Sequence, residues 1–213
     1  MNGKNMLNMV FENTIFIERS YILKLAVIFP GIGYTNQKPL LYYSQKLAKT
    51  HGFDVVALEY TDFPSKVRGD EDKMKECFDI AWKQTCDQLS KVDFDKYTGE
   101  DDCIFFFSKS IGTIMAAKYA LENDILAGQI YYTPLEETFK YVQDGYGLAF
   151  HGTNDPWADN ETIERLSAEK HIELVEIPDV NHSLELTDSV VDDIDYVADV
   201  IETVEGYISD YEG

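Results

Sequence analysis

Beyond Lys170 the chain has no lysine or arginine, and over its whole length 39 acidic side chains face 18 basic ones, a formal net charge of −21. A surface of that sign repels phosphate backbones and anionic headgroups, which argues against a nucleic-acid or membrane-surface partner. Cysteine is scarce: Cys77, Cys86 and Cys103 make neither a CxxC pair nor an even framework, which fits a reduced, cytoplasmic protein. No apolar run approaches the roughly 20 residues of a membrane helix, and the opening stretch MNGKNMLNMVFENTIFIERS is broken by Asn and Glu, so neither signal peptide nor anchor is expected. The 4 histidines are scattered, with no H-E-x-x-H, and the acidic clusters Asp70-Glu71-Asp72 and Asp192-Asp193 read as solvated helix faces, so no metal is expected. There is no G-x-x-x-x-G-K-[ST], and Gly31-Ile32-Gly33 lacks the third glycine of a dinucleotide fingerprint because Asn36 stands there; no cofactor is expected. Without repeats or a Pro/Gly-rich linker, residues 1–213 read as one domain.

What the chain does have is enough apolar sequence, 45%, for a sizeable core. Short apolar runs alternate with segments of helical period, the pattern of β-α units feeding a mostly parallel, twisted sheet in an α/β/α sandwich. The expected strands are Thr14–Glu18, Leu23–Phe29, Asp54–Glu59, Cys103–Phe107, Ala127–Tyr132, Gly145–Phe150 and Ile172–Ile177. The expected helices are Lys38–Thr50, Asp70–Leu89, Ile111–Glu122, Leu135–Gln143 and Asn160–Glu169. Near the C-terminus Val190, Ile194, Val197, Ile201, Val204 and Ile208 recur at steps of four and three opposite an acidic face, which predicts a long amphipathic helix laid over the core. Used instead as a seam it would make a homodimer; otherwise the chain is a monomer.

The stretch FFFSKSIGT, Phe105 to Thr113, carries the chemistry. A strand buried on both faces must reverse into a helix within about three residues of Ser110, which forces a strained backbone at the apex and small residues two places to either side, here Ser108 and Gly112. Ser108-Lys109-Ser110-Ile111-Gly112 resembles the G-x-S-x-G nucleophile elbow of the α/β-hydrolase superfamily, with serine in place of the first glycine. Over roughly residues 23 to 190 the closest resemblance is to small, lidless, dienelactone-hydrolase-like members, although those with a cysteine nucleophile differ from Ser110. The resemblance implies an α/β-hydrolase fold with a minimal cap, eight strands or slightly fewer, and a chain order of nucleophile, acid, histidine.

Downstream, GLAFHGTNDPWAD places Asp155 after a strand, similar to the family's acid loop, and LVEIPDVNHSLEL places His182 after the next. The resemblance makes Ser110 the nucleophile, His182 the base and Asp155 the group that orients it. His151 is the alternative base; His51 and His171 read as structural or exposed. An oxyanion needs two backbone N–H donors. Ile111, following the nucleophile at a helix N-terminus, supplies one. The loop Pro30-Gly31-Ile32-Gly33-Tyr34 resembles the family's His-Gly-x loop and supplies the other, from Ile32, or from Gly33 or Tyr34 if it is wound differently. Gly31, Gly33, Tyr34 and Trp157 are the expected substrate-contacting residues, with Tyr60, Phe63, Tyr132 and Pro134 at the same edge. The implied activity is hydrolysis of a small carboxylic ester or thioester through an acyl-enzyme. The competing reading is a non-catalytic binder that uses the same pocket or the acidic C-terminal helix to hold a basic partner.

Overall fold

The computed structural model describes residues 22–99, 101–145, 147–186 and 188–212. Within them six parallel strands form one sheet in the order β2-β1-β3-β4-β5-β6: β1 Lys24–Phe29, β2 Asp54–Ala57, β3 Cys103–Lys109, β4 Gly128–Tyr132, β5 Leu148–Gly152 and β6 Glu173–Ile177. Helices α1 Pro39–Thr50, α2 Glu71–Leu89, α3 Ile111–Glu122, α4 Asn160–Glu169 and α5 Val190–Glu212 connect or follow them. The three-layer arrangement expected from the sequence is present.

Each strand feeds two cores because side chains alternate across a sheet. Phe105 and Phe107 join Ala26, Ile28, Tyr132 and Phe150 beneath α1 and α5, whereas Ile104 and Phe106 join Val27 and Phe29 beneath α2 and α3. A third cluster, around Tyr131, Ala149 and Ile163, seats α4 on the same side as α3. With both faces covered, β3 is buried at every position, which explains why it opens on the unbroken apolar run Cys103–Phe107 rather than on an alternating one.

The expected strand at Thr14–Glu18 lies outside the described residues, among which the sheet has six strands, against the eight or slightly fewer that the resemblance implies. Two other expectations change. The helix expected over Leu135–Gln143 is a five-residue 3₁₀ turn, Glu136–Lys140. Its i→i+3 bonds, Thr138 N–H to Leu135 at 2.9 Å and Tyr141 N–H to Thr138 at 3.0 Å, tighten the segment. The Thr138 hydroxyl pins it to Thr113 of α3 at 2.7 Å. The C-terminal helix forms, and Val197, Val200, Val204 and Ile208 are buried, worth about 1.5–3 kcal/mol each. Its first turns run past the core, leaving Val190 and Ile194 74% and 63% exposed.

The chain leaves β1 towards β2 and then returns to β3 on the other side of β1, so the C-terminal ends of β1 and β3 flank a topological switch point, where open α/β sheets bind ligands. Helix α3 passes hard against the end of β1. A Cβ on Gly112 would stand 2.4 Å from the Phe29 carbonyl oxygen and 2.5 Å from that of Pro30, so neither backbone nor helix has room to yield. Gly112→Ala is therefore expected to cost about 3 kcal/mol of stability, measured by denaturant unfolding, and a loss below 1 kcal/mol would show that this approach is loose.

Candidate active site

Ser110 stands between β3 and α3 with φ 57° and ψ −125°, a conformation that L-residues avoid and that costs about 1–3 kcal/mol. Local bonds hold it there. Its N–H donates to Tyr132 at 3.1 Å, extending the β3–β4 ladder by one residue, and its carbonyl accepts from the Thr113 N–H at 2.9 Å and the Thr113 hydroxyl at 2.6 Å. Ser108, buried two residues earlier, donates its hydroxyl to the Ile130 carbonyl at 2.9 Å.

Asp155 follows β5 and His182 follows β6, and both turn back towards Ser110. His182 Nε2 is 2.8 Å from Ser110 Oγ, and His182 Nδ1 is 2.7 Å from Asp155 Oδ2. A carboxylate only accepts, so Nδ1 carries the imidazole proton and Nε2 is left to accept the serine hydroxyl. The other carboxylate oxygen accepts from the Trp157 N–H at 2.8 Å, and Asp159, not Asp155, caps α4 through the Thr162 N–H at 3.0 Å.

The remaining histidines are engaged elsewhere. His151 is fully buried and bonded through Nε2 to Asn160 Oδ1 at 2.7 Å, His171 pairs with Asp144 at 2.9 Å, and His51 lies 3.6 Å from Glu205.

The loop after β1 is a turn closed from both sides, Gly31 N–H to Tyr34 O at 3.0 Å and Tyr34 N–H to Gly31 O at 3.3 Å. The Tyr34 amide is thereby spent. Ile32 lines the same cavity as Ser110, Ile111 and His182, about 410 Å³, whereas Gly33 faces a smaller one of about 200 Å³. Ile111 opens α3, so no earlier turn supplies its N–H with an acceptor.

Of the four residues expected to contact substrate, Trp157 lines the cavity. Gly31 faces the smaller cavity with Gly33, and Tyr34 belongs to the core, where its hydroxyl accepts from the Leu40 N–H at 3.1 Å. Tyr60 and Tyr132 are likewise turned inward, bonded to Thr85 at 2.7 Å and Ser44 at 2.8 Å. The cavity wall comes instead from Pro64 to Arg68, Met74 and Leu135.

Lys109, which the sequence reading passes over as the variable residue of the elbow, is only 1% exposed. Its ammonium donates to Thr133 Oγ1 at 2.5 Å and lies 5.1 Å from the centre of the Tyr34 ring, and Thr133 Oγ1 in turn donates to the His182 carbonyl at 3.2 Å. Burial pulls the Lys109 amine down to about 7, against the attraction of Asp155 and Glu185. Burial also lowers His182, the Lys109 charge lowers it further, and the bond to Asp155 opposes both. Burial alone would raise Asp155, but His182, the Trp157 N–H and Lys109 outweigh it and hold the carboxyl below its usual range.

No protein-family model matches the chain, and no curated protein matches it in sequence. Among solved structures it is similar to Est1E from Butyrivibrio proteoclasticus, at 15% identity over 89% of this chain and 88% of that one, TM-score 0.61. It is similar also to XC6422 from Xanthomonas campestris, described as an α/β serine hydrolase without lid, at 15% identity, 89% and 85% coverage and TM-score 0.54. A third likeness is to Atu2452 from Agrobacterium tumefaciens, at 15% identity, 92% of that chain and TM-score 0.60. The chain has the α/β-hydrolase fold.

The lysine gives a test with a definite sign. The unfolded amine titrates near 10.4 and the folded one near 7, so the burial cost is full below about pH 7 and fades as pH rises towards 10.4. Lys109→Met is expected to raise the thermal midpoint more at pH 6 than at pH 9.5. A gain no larger at pH 6 would show that the amine is not held down by burial.

Proposed function

We propose that the protein is a serine hydrolase that cleaves a carboxylic ester or thioester through an acyl-enzyme on Ser110. The observation that carries the reading is the unbroken line from Asp155 through His182 to Ser110, with bonds of 2.7 and 2.8 Å, at the switch point of the sheet. His182 Nε2 takes the serine proton as Oγ attacks the carbonyl and returns it to the leaving group, while Asp155 holds the tautomer and stabilises the imidazolium. The tetrahedral oxyanion sits between the amides of Ile111 and Ile32, the first of them at the positive end of α3. Water, activated by the same imidazole, then releases the acid. The named likenesses include a serine hydrolase without lid, and the open cavity over Ser110 agrees with a substrate that needs no large cap.

The cavity over Ser110, about 410 Å³, suits a small-molecule substrate, and the −21 charge of the chain repels anionic surfaces. No helix among the described residues is long and apolar enough to cross a membrane.

A fluorophosphonate, which reports an activated serine whatever the natural substrate, tests the reading by intact mass. Wild type is expected to gain a single adduct on Ser110, absent in Ser110→Ala and strongly slowed in His182→Ala; no adduct on folded wild type would overturn it. Once an ester is turned over, Asp155→Asn is expected to lower kcat about 10⁴-fold, because the amide favours the wrong imidazole tautomer. A loss under tenfold would remove Asp155 from the mechanism.

A further inference from the structure

The cavity over Ser110 does not end at its own walls. Met74, Ile111, Leu135 and Trp157 line it and also line a second, larger cavity of about 740 Å³, so the two form one groove that starts at the nucleophile. Past these shared residues the wall is made by Phe78 of α2, Ile114 of α3 and Tyr141. Of the four carboxylates in its lining, Asp70 caps α2 and pairs with Lys73 at 3.3 Å and Glu137 pairs with Lys140 at 2.6 Å, while Glu71, Glu136 and Lys75 complete the polar part of the wall. Between these charged residues Met74, Phe78, Ile111, Ile114, Leu135 and Trp157 form an apolar trough.

Direction follows from the chemistry. The leaving group must take its proton from His182 Nε2, so it departs on the histidine's side of the carbonyl. His182 lines the near cavity and is absent from the lining of the far one, whereas Ile111, whose amide faces the oxyanion in the proposed mechanism, lines both. What runs into the trough is the acyl side. Resting on the hydrolase reading above, we propose that the groove between α2, the start of α3 and the 3₁₀ turn is an acyl-chain subsite, and that the substrate is an ester or thioester of an extended, straight apolar acid.

Two measurements test this. The first is kcat/KM along two ester series, one lengthening the acyl group from two to eight carbons with a constant alcohol, the other lengthening the alcohol of an acetate. About two- to fourfold per added methylene is expected in the acyl series as carbons leave water, with no trend in the alcohol series. A flat acyl series, or a trend in the alcohol series alone, would overturn the proposal. Phe78→Glu is expected to flatten the acyl trend by putting a charge where the chain lies; an unchanged slope would place the chain elsewhere.

The second measurement needs no turnover. Binding of methyl acetate, hexanoate and octanoate to Ser110→Ala that also carries Trp82→Phe is followed by the fluorescence of Trp157, then the single tryptophan, which stands between the two cavities. Tighter binding with each lengthening supports the groove even if wild type hydrolyses nothing, in which case the hydrolase reading fails and the subsite stands. Chain-length-independent binding beside active wild type defeats the subsite and leaves the hydrolase reading intact.

Discussion

The whole site hangs on one backbone event, the reversal of the chain at Ser110. At φ 57° the residue is strained, and nothing in its own side chain relieves that. The relief comes from outside: the last ladder bond to Tyr132, the double grip of Thr113 on the Ser110 carbonyl, and α3 packed so closely on β1 that position 112 admits only glycine. Strain at a functional residue persists only where surrounding structure over-determines it, and here a fully buried strand and a nearly fully buried helix do so. The same reversal aims the N-terminus of α3 at the cavity and frees the Ile111 amide.

Given that fixed point, the partners need only be delivered by strand ends. Successive strands β4, β5 and β6 lie in register beside β3, so the loops after β5 and β6 start at nearly the same level as Ser110. Gly152 lets the second of these pack across the first, since a Cβ there would fall 2.4 Å from the Val180 carbonyl oxygen. Asp155 then meets His182 across a gap that chain distance alone would never show.

Much of this was legible in the chain because the determinants are local. Three phenylalanines followed by serine, lysine, serine and an Ile-Gly spell a doubly buried strand, a tight turn and a close helix contact, and the strands before Asp155 and His182 read just as directly. What was not legible depends on packing from a distance. The segment after Leu135 has helical period, yet the bond between Thr138 and Thr113 joins residues 25 positions apart and goes with a 3₁₀ turn. Tyr34, Tyr60 and Tyr132 sit at the correct edge of the sheet but find partners for their hydroxyls inside it, as buried tyrosines do. Val190 and Ile194 keep the period of the C-terminal helix beyond the point where there is core left to cover.

Lys109 is the clearest such case, since a cation in a strand otherwise buried among aromatics contradicts every composition rule. In a chain with a net charge of −21 it lies beside Thr133 and the Tyr34 ring, within electrostatic reach of Asp155 and Glu185. An Asp155 carboxyl with no exposed side-chain surface would by burial alone drift towards its neutral form, and neutral it could not stabilise an imidazolium. Lys109 helps keep it ionised, and the cost of burying the amine is borne by the fold. Burial first, and the same positive charge second, disfavour the protonated imidazole, so His182 stays neutral to a lower pH than an exposed histidine would. The Lys109 amine, when charged, thus bears on both members of the Asp155–His182 pair in opposite senses, favouring the carboxylate and opposing the imidazolium.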